Sequence, residues 1–495
     1  MSDWSAIEAL PQTRLTELFE ADPERLGRFS LDLAGIHFDW SKTHLTPELV
    51  TAFAALATSR DLAARRDALF AGEHVNVTED RPVTHTHERG EGAAEIVAVA
   101  RGYHDRMRQL VDAIEAGAFG PVSHILHVGI GGSALGPHLL VDALGREAGR
   151  YDVAIVSNVD GMALEDVFGD FDPAATLLLV ASKTFTTTET LMNADSVIAW
   201  MTEAGVEDPY GRVVALTAQP DKAVEWGVDE TRVLPFNEGV GGRYSFWSSI
   251  GFPAALALGW DRFEEMLEGA AEVDRHFRLA ALHENAPALA AFADLYYTQV
   301  RHAETRAPFA YDERLRLLPS YLQQLEMESN GKGVTVDGQP LGRPSAAITW
   351  GGVGTDAQHA VFQLLHQGTH LVPVEFIAVI EPGDTLPEEH HRALLNNAFA
   401  QGAALMKGKQ ADDPARSYSG DRPSSTLLLD QLDARTLGAL IAFYEHRVFV
   451  NGVILQINSF DQFGVELGKE MAKAAEKGGG DFDPSTTDLM KRAFG

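Results

Sequence analysis

The sequence predicts an α/β fold: two doubly wound lobes, each with a mainly parallel sheet, and helical extensions at both ends. Three observations carry the prediction. Short apolar runs alternate with helical stretches between residues 124 and 218. A second strand-and-helix set follows a helical segment at 261–285, and both ends of the chain have helical periodicity. Strands alternating with helices need crossover connections, which cover both faces of a parallel sheet. At 495 residues, 45% hydrophobic and 22% charged, the chain is long enough for two or three globular domains.

Residues 1–100 read as a mainly helical N-terminal extension packing on the larger lobe, with Leu15, Leu18 and Phe19 on one face. From Gly102, Tyr103, Met107, Leu110 and Ile114 recur in steps of four and three, the mark of an amphipathic helix. The period then changes. HILHV (124–128), DVAIVS (152–157), TLLLVAS (176–182) and RVVALTA (212–218) read as the strands of a first lobe over 101–260. Residues 261–285 form a helical bridge. AAITWGG (346–352) and VEFIAVI (374–380) are strands of a second lobe over 286–455. In the tail, 456–495, Val465, Leu467, Met471 and Ala475 mark an amphipathic helix ended by glycines 478–480.

The formal net charge of −31 opposes non-specific contact with nucleic acid or anionic membrane, so neither is an expected partner. An anionic ligand must instead be held by local donors, since salt screens distant charge within about 8 Å. The absence of cysteine excludes disulfides, thiolate catalysis and Cys-based metal sites. The start, MSDWSAIEALPQTR, lacks a basic segment followed by an apolar run. The longest aliphatic runs, such as Leu177 to Val180, are too short to span a bilayer. A cytoplasmic protein is expected.

HVGIGGSA (127–134) contains G-x-G-x-x-A from Gly129. Val128 should end a strand and Leu135–Leu144 should form the next helix, with Ser133 as N-cap and Pro137 in the first turn. Such a turn offers free N–H groups and a positive dipole end to any phosphate. A dinucleotide would call for an acidic residue about 20 positions on; Asp160 lies 26 past Ala134. SKTFTTTET (182–190) then presents the hydroxyls of Ser182, Thr184, Thr186, Thr187 and Thr188 beside Lys183, ahead of another helix. Hydroxyls and backbone N–H groups together suit a phosphate monoester. Two such loops at the carboxyl ends of neighbouring strands favour a sugar phosphate over a dinucleotide.

Three further stretches bear chemistry. QQLEMESNGK (323–332) sets Glu326 and Glu328 before Ser329-Asn330-Gly331, a turn signal. A carboxylate there is either a general base or a solvated acidic helix end. In VGGRYSFWSSIG (240–251), Arg243 is either a stabiliser of a developing oxyanion or a structural ion-pair partner. In GTDAQH (354–359), His359 is a candidate proton donor, with HQGTH (366–370) at the far end of the same helix. His85, His87 and the EEHH run (388–391) lack the spacing of a closed metal site and read as surface polar residues.

GIGGSALGP, SNVDG, SKTFTTTET, GGRYSFWSSIG, QQLEMESNGK, GTDAQH and SFDQFGVELGK (459–469) occur in the order found in the glucose-6-phosphate isomerase family, over residues 129–469. The resemblance implies flavodoxin-like sugar-isomerase (SIS) lobes and interconversion of glucose 6-phosphate and fructose 6-phosphate, a step of glycolysis and gluconeogenesis. It implies that Glu328 moves a proton between C2 and C1 and that Arg243 stabilises the cis-enediol intermediate. By the same resemblance His359 and Lys469 assist ring opening. Gly132, Ser133, Ser182, Lys183, Thr184 and Thr187 hold the phosphate, and Gln324 and Gln462 line the site. No metal or other cofactor is implied. The implied assembly is a homodimer in which His359 enters the partner's site. Bifunctional phosphoglucose/phosphomannose isomerisation and non-catalytic sugar-phosphate binding are the alternatives. The chain departs from the family pattern at Gly352-Val353, Asp356-Ala357, Met162-Ala163 and within NVTEDRPVTHTHER (76–89).

Overall fold

The computed structural model describes residues 4–146 and 149–494. Its strands fall into two sheets. A hairpin of β1 (Ser30–Leu33) and β2 (Ile36–Asp39) comes first. β3 (His124–Gly129), β4 (Asp152–Val156), β5 (Thr176–Ala181), β6 (Val213–Thr217) and β7 (Val233–Pro235) form a parallel sheet in the order β4-β3-β5-β6-β7. This is the 2-1-3-4-5 order of a flavodoxin-like doubly wound domain. The first four of these strands stand where the apolar runs put them. β7, three residues ending in a proline, is too short to signal itself. β5 is buried along its whole length, which is why its sequence is continuously apolar instead of alternating.

The second sheet holds β8 (Thr305–Tyr311), β9 (Ile348–Thr349), β10 (Gly352–Val353), β11 (Val374–Val379) and β12 (Ser424–Leu429). β12, β11 and β8 are parallel neighbours, and β9 and β10 both pair with β8. The strand expected over 346–352 is therefore split. Its partner β8 contains Pro308, which has no N–H to give to a ladder. At the opposite edge β2 pairs antiparallel with β12. The N-terminal stretch read as mainly helical thus also supplies the two outer strands of this sheet, through a pairing about 390 residues apart in the chain.

Two long helices, Trp260–Leu279 and Ala434–Leu455, pack against each other in the core. A Cβ on Gly438 would overlap the Met266 carbonyl, so the backbones touch there and only glycine fits. The segment read as a bridge is for most of its length this interior helix. Ala434–Leu455 is, among the described residues, the one helix long and apolar enough to cross a membrane, with a mean hydropathy of 1.2 over its best window. It is a core helix: 89% of that window is buried in the molecule, and Glu445, His446 and Arg447 sit in its middle.

Those three residues anchor two buried ionic clusters. Arg89 pairs with Asp274 (2.7 Å) and with Glu445, whose other oxygen accepts from Trp247 Nε1 at 2.8 Å. Burial pushes the Glu445 carboxyl up to about 7, even with Arg89 beside it. The adjoining His85–Glu88 turn is consequently interior, with His85 and His87 at 2% and 1% exposure. Reading these histidines as surface residues is wrong, because Arg89 drags its whole turn inward to carboxylates far along the chain. EEHH, by contrast, is on the surface apart from the half-buried His391.

In the other cluster Arg306 and Arg447 share Glu326, Glu375 and Asp294. Arg306 reaches Glu326 at 2.7 Å and Glu375 at 2.9 Å; Arg447 reaches Glu375 at 3.0 Å, Asp294 at 3.4 Å, and Glu326. Removing one partner from such a set strands a buried charge. Arg447→Met is expected to lower unfolding stability by about 3–5 kcal/mol, read as a drop in the urea midpoint. An unchanged midpoint would contradict the cluster's role in holding the core.

Candidate active site

In a sheet of order 2-1-3-4-5 the ligand crevice opens at the carboxyl ends of the first and third strands, where the connections diverge to opposite sides. Those strands are β3 and β5, paired up to Gly129 and Ala181. The two phosphate-type loops leave them side by side.

After β3, Gly131–Ser133 form a 3₁₀ turn and Leu135–Leu144 the helix. Ala134, not Ser133, is the N-cap, and no side chain caps the helix. Ser133 is held instead through its carbonyl, which accepts from His127 Nε2 at 2.7 Å. Burial lowers His127 to about 4, so the ring is neutral and Nε2 carries the hydrogen. Gly132 is packed so closely on the Gly242 carbonyl that a Cβ would overlap it. This contact joins the glycine turn to the Gly242–Trp247 turn bearing Arg243.

After β5, buried Phe185 sits at φ 50°, a left-handed conformation unusual for an aromatic residue and typical of strained functional loops. Ser182 Oγ and Thr187 Oγ1 lie 3.1 Å apart, Thr184 Oγ1 and Thr186 Oγ1 2.8 Å apart, and Thr188–Glu203 is the helix that follows. Lys183 Nζ donates to the carbonyls of Glu238 (2.6 Å) and Val240 (3.0 Å), tying this loop to the Arg243 turn. Burial, with Arg81 adding to it, lowers Lys183 to about 8. The ammonium therefore exists below that pH and is lost above it. KM for a sugar phosphate should rise as pH passes about 8, because phosphate stays dianionic there while the cation fades. A KM that stays flat from about pH 7 to about pH 9.5 would remove Lys183 from the phosphate grip.

Both glutamates lie on helix, which runs on into the Ser329-Asn330-Gly331 stretch expected as a turn. Leu318–Gln323 passes into a π-turn, Gln324–Glu328, and helix continues through Asn330. Residues two apart on a helix point about 200° apart, and the two glutamates separate accordingly. Glu326 enters the buried ionic cluster and accepts from Thr349 Oγ1 at 2.6 Å. Burial would raise its carboxyl, but Arg306 and Arg447 overcome that and hold it below its usual value. Glu328 keeps 22% side-chain exposure and lies 3.3 Å from Arg243 Nη1. Gln324, at the start of the π-turn, reaches the Gly131 turn, and its Oε1 is buried with no hydrogen bond.

Arg243 is 1% exposed and every arm of its guanidinium is engaged. Nε donates to Ser329 Oγ (2.6 Å), Nη2 to the carbonyls of Ser459 (2.5 Å) and Asp461 (3.1 Å), and Nη1 to Gln462 Oε1 (3.2 Å). Tyr321 Oη donates to the Arg243 carbonyl at 3.1 Å. The arginine is thus fixed against a partly exposed carboxylate, an arrangement suited to proton transfer beside a developing oxyanion.

The structure therefore brings Gly132, Ser133, Ser182, Lys183, Thr184, Thr187, Arg243, Gln324, Glu328 and Gln462 onto connected turns. It does not bring His359 or Lys469 to them by any hydrogen bond or ion pair. His359 is exposed on the Gly354–Gln367 helix, and Lys469 is exposed on Glu466–Glu476, which begins four residues after Gln462. Sequence reasoning misses Ser329, Lys332 and the carbonyls of Ser459 and Asp461. SNGK and NSFDQ are the only local signals for them. Among the described residues no group of His, Asp or Glu side chains is arranged to hold a metal ion.

The model of the family described as phosphoglucose isomerase matches residues 39–490. The chain is similar to the glucose-6-phosphate isomerase of Rhizorhabdus wittichii, at 70% identity over 99% of each chain. It is similar to that of Zymomonas mobilis at 64% identity, over 99% of this chain and 97% of the relative. Among solved structures, a glucose-6-phosphate isomerase from Chlamydia trachomatis superposes with a TM-score of 0.91 at 31% identity, covering 99% of this chain and 98% of that one. The chain belongs to the phosphoglucose isomerase family.

Proposed function

We infer that this chain is an aldose–ketose isomerase interconverting glucose 6-phosphate and fructose 6-phosphate. The observation that carries the mechanism is the Glu328 carboxylate 3.3 Å from a fully engaged Arg243, on turns that also hold the two phosphate-type loops. Hydroxyls and N–H groups of the glycine and threonine loops bind the phosphate. That binding energy, spent away from the reacting carbons, orients C1 and C2 against the base. With the ring open, Glu328 takes the proton from one carbon and returns it to the other, while Arg243 balances the charge on the enediolate oxygen. The net change is a proton moved from C2 to C1 and another from the C2 hydroxyl to the C1 oxygen, with no electrons gained or lost, so the reaction needs no redox partner.

Ring opening is assigned to Lys469 and to His359 of a second copy, making the functional unit a homodimer. Two features support this. His359 is exposed and makes no hydrogen bond or ion pair to the chain's own site turns, and Val465, just before the Lys469 helix, and Leu467 and Met471 on it are 48%, 66% and 42% exposed. An apolar face of that kind is suited to burial against another surface. A cytoplasmic site of action is part of the proposal, because a phosphorylated sugar is a dianion that a bilayer retains. The test is a coupled assay for glucose 6-phosphate formed from fructose 6-phosphate, run beside mannose 6-phosphate. Turnover of the first is expected. No turnover of fructose 6-phosphate would refute the assignment.

A further inference from the structure

The SNGK stretch contains a cation that the roles above leave unused. Lys332 Nζ donates to the carbonyls of Ser329 (2.6 Å), Glu328 (3.0 Å) and Asn458 (2.9 Å), and it pairs with Asp461 Oδ1 at 3.2 Å. Two of those oxygens end the helix that carries Glu328. The other two belong to the 458–461 loop, whose Ser459 and Asp461 carbonyls hold Arg243. One ammonium thus joins the element that aims the base to the element that aims the arginine. A cation at a helix C-terminus also satisfies carbonyls that the helix leaves unpaired. Burial lowers the Lys332 ammonium from its ordinary value and Asp461 opposes that; the oxygens around it favour the charged form.

We propose that Lys332 is a positioning residue for the isomerisation, fixing Glu328 relative to Arg243 and adding a positive charge to the environment of the base. The inference rests on Glu328 being that base. The charged groups facing Glu328 are Arg243 from the Gly242–Trp247 turn and Lys332 from its own helix end. Asp461 faces Lys332 from the neighbouring loop, and Tyr244 Oη lies 3.0 Å from Ser329 Oγ. Glu326, on the same π-turn, is taken up by Arg306 and Arg447.

The test compares Lys332→Met, Lys332→Arg and Lys332→Gln in the full chain, with kcat, KM and the pH dependence of kcat/KM for fructose 6-phosphate and with thermal unfolding as the control for folding. Lys332→Met is expected to lower kcat about 10- to 100-fold with little change in KM, the size of effect a misplaced catalytic group produces. Its acid limb should move to higher pH, since the ionised carboxylate has lost a neighbouring cation. Lys332→Arg should keep the acid limb near its original pH and recover most of kcat. If the methionine variant does not fold, Lys332→Gln keeps two N–H donors without the charge and should show the same upward shift. Wild-type kcat in Lys332→Met, or an unmoved acid limb in whichever uncharged variant folds, overturns the proposal. Full turnover in Glu328→Gln would instead overturn the reading of the site on which it rests.

Discussion

Glu328→Gln is expected to lower kcat about 10³- to 10⁴-fold, the upper range for loss of a general base. The amide is isosteric with the carboxylate and can still lie beside Arg243 Nη1, which is 3.3 Å from the carboxylate, but it cannot take a proton from carbon. Folding should be little affected, because the side chain is 22% exposed and makes this one ion pair. Binding separates the base from a structural acid. The phosphate loops are untouched, and removing a negative charge from the site cannot weaken capture of a dianion, so sugar-phosphate affinity measured by calorimetry should hold or tighten. A variant that turns over normally would show that Glu328 is not the base. A variant that loses binding and turnover together would show that the carboxylate organises the site instead of doing its chemistry.

Much of this site is legible in the sequence because its parts have local signatures. A glycine turn between a strand and a helix, and a run of hydroxyls after the next inner strand, are required by the backbone and ligand chemistry of each loop alone. The alternation of apolar runs with helices is also a local signal, and four of the five strands in the first sheet follow from it. What stays hidden depends on partners far away in the chain. Nothing near HTHER shows that Arg89 meets Glu445, 356 residues on, so its histidines read as surface groups and are in fact buried. Nothing near β2 shows that it will extend a sheet begun at β8.

Glu326 and Glu328 look interchangeable in the sequence. Their fates diverge because a helical turn sends one toward Arg306 and Arg447 and the other toward Arg243. The GGRY motif points to an arginine but not to its setting, since two of the groups that hold it are backbone carbonyls with no residue-type signature. Lys469 is readable only through the family's motifs, and His359 stands out without them only as a histidine able to donate a proton near neutral pH. In a single chain their surroundings show exposure but no contact with the rest of the site.

Arg243→Lys should lower kcat about 10²- to 10³-fold, the effect of removing one preorganised donor from an oxyanion site. Charge alone does not satisfy this position. The guanidinium makes hydrogen bonds in three directions, to Ser329 Oγ, to the Ser459 and Asp461 carbonyls and to Gln462 Oε1, while Nη1 also faces Glu328. A lysine has three rotatable donors on a flexible stem and cannot reproduce that planar fork. Its ammonium could reach the carbonyls of the 459–461 loop, but it would then leave the space beside Glu328 without a fixed cation. The deficit should appear in kcat, with KM for fructose 6-phosphate within about threefold, because the enediolate charge exists only along the reaction path and the phosphate is bound elsewhere. Steady-state kinetics in both directions would read this, with urea unfolding to confirm that the buried site still folds. A raised KM at unchanged kcat would make Arg243 a ground-state ligand of the sugar. Equal activity in the lysine variant would show that the site needs only a positive charge and not this geometry.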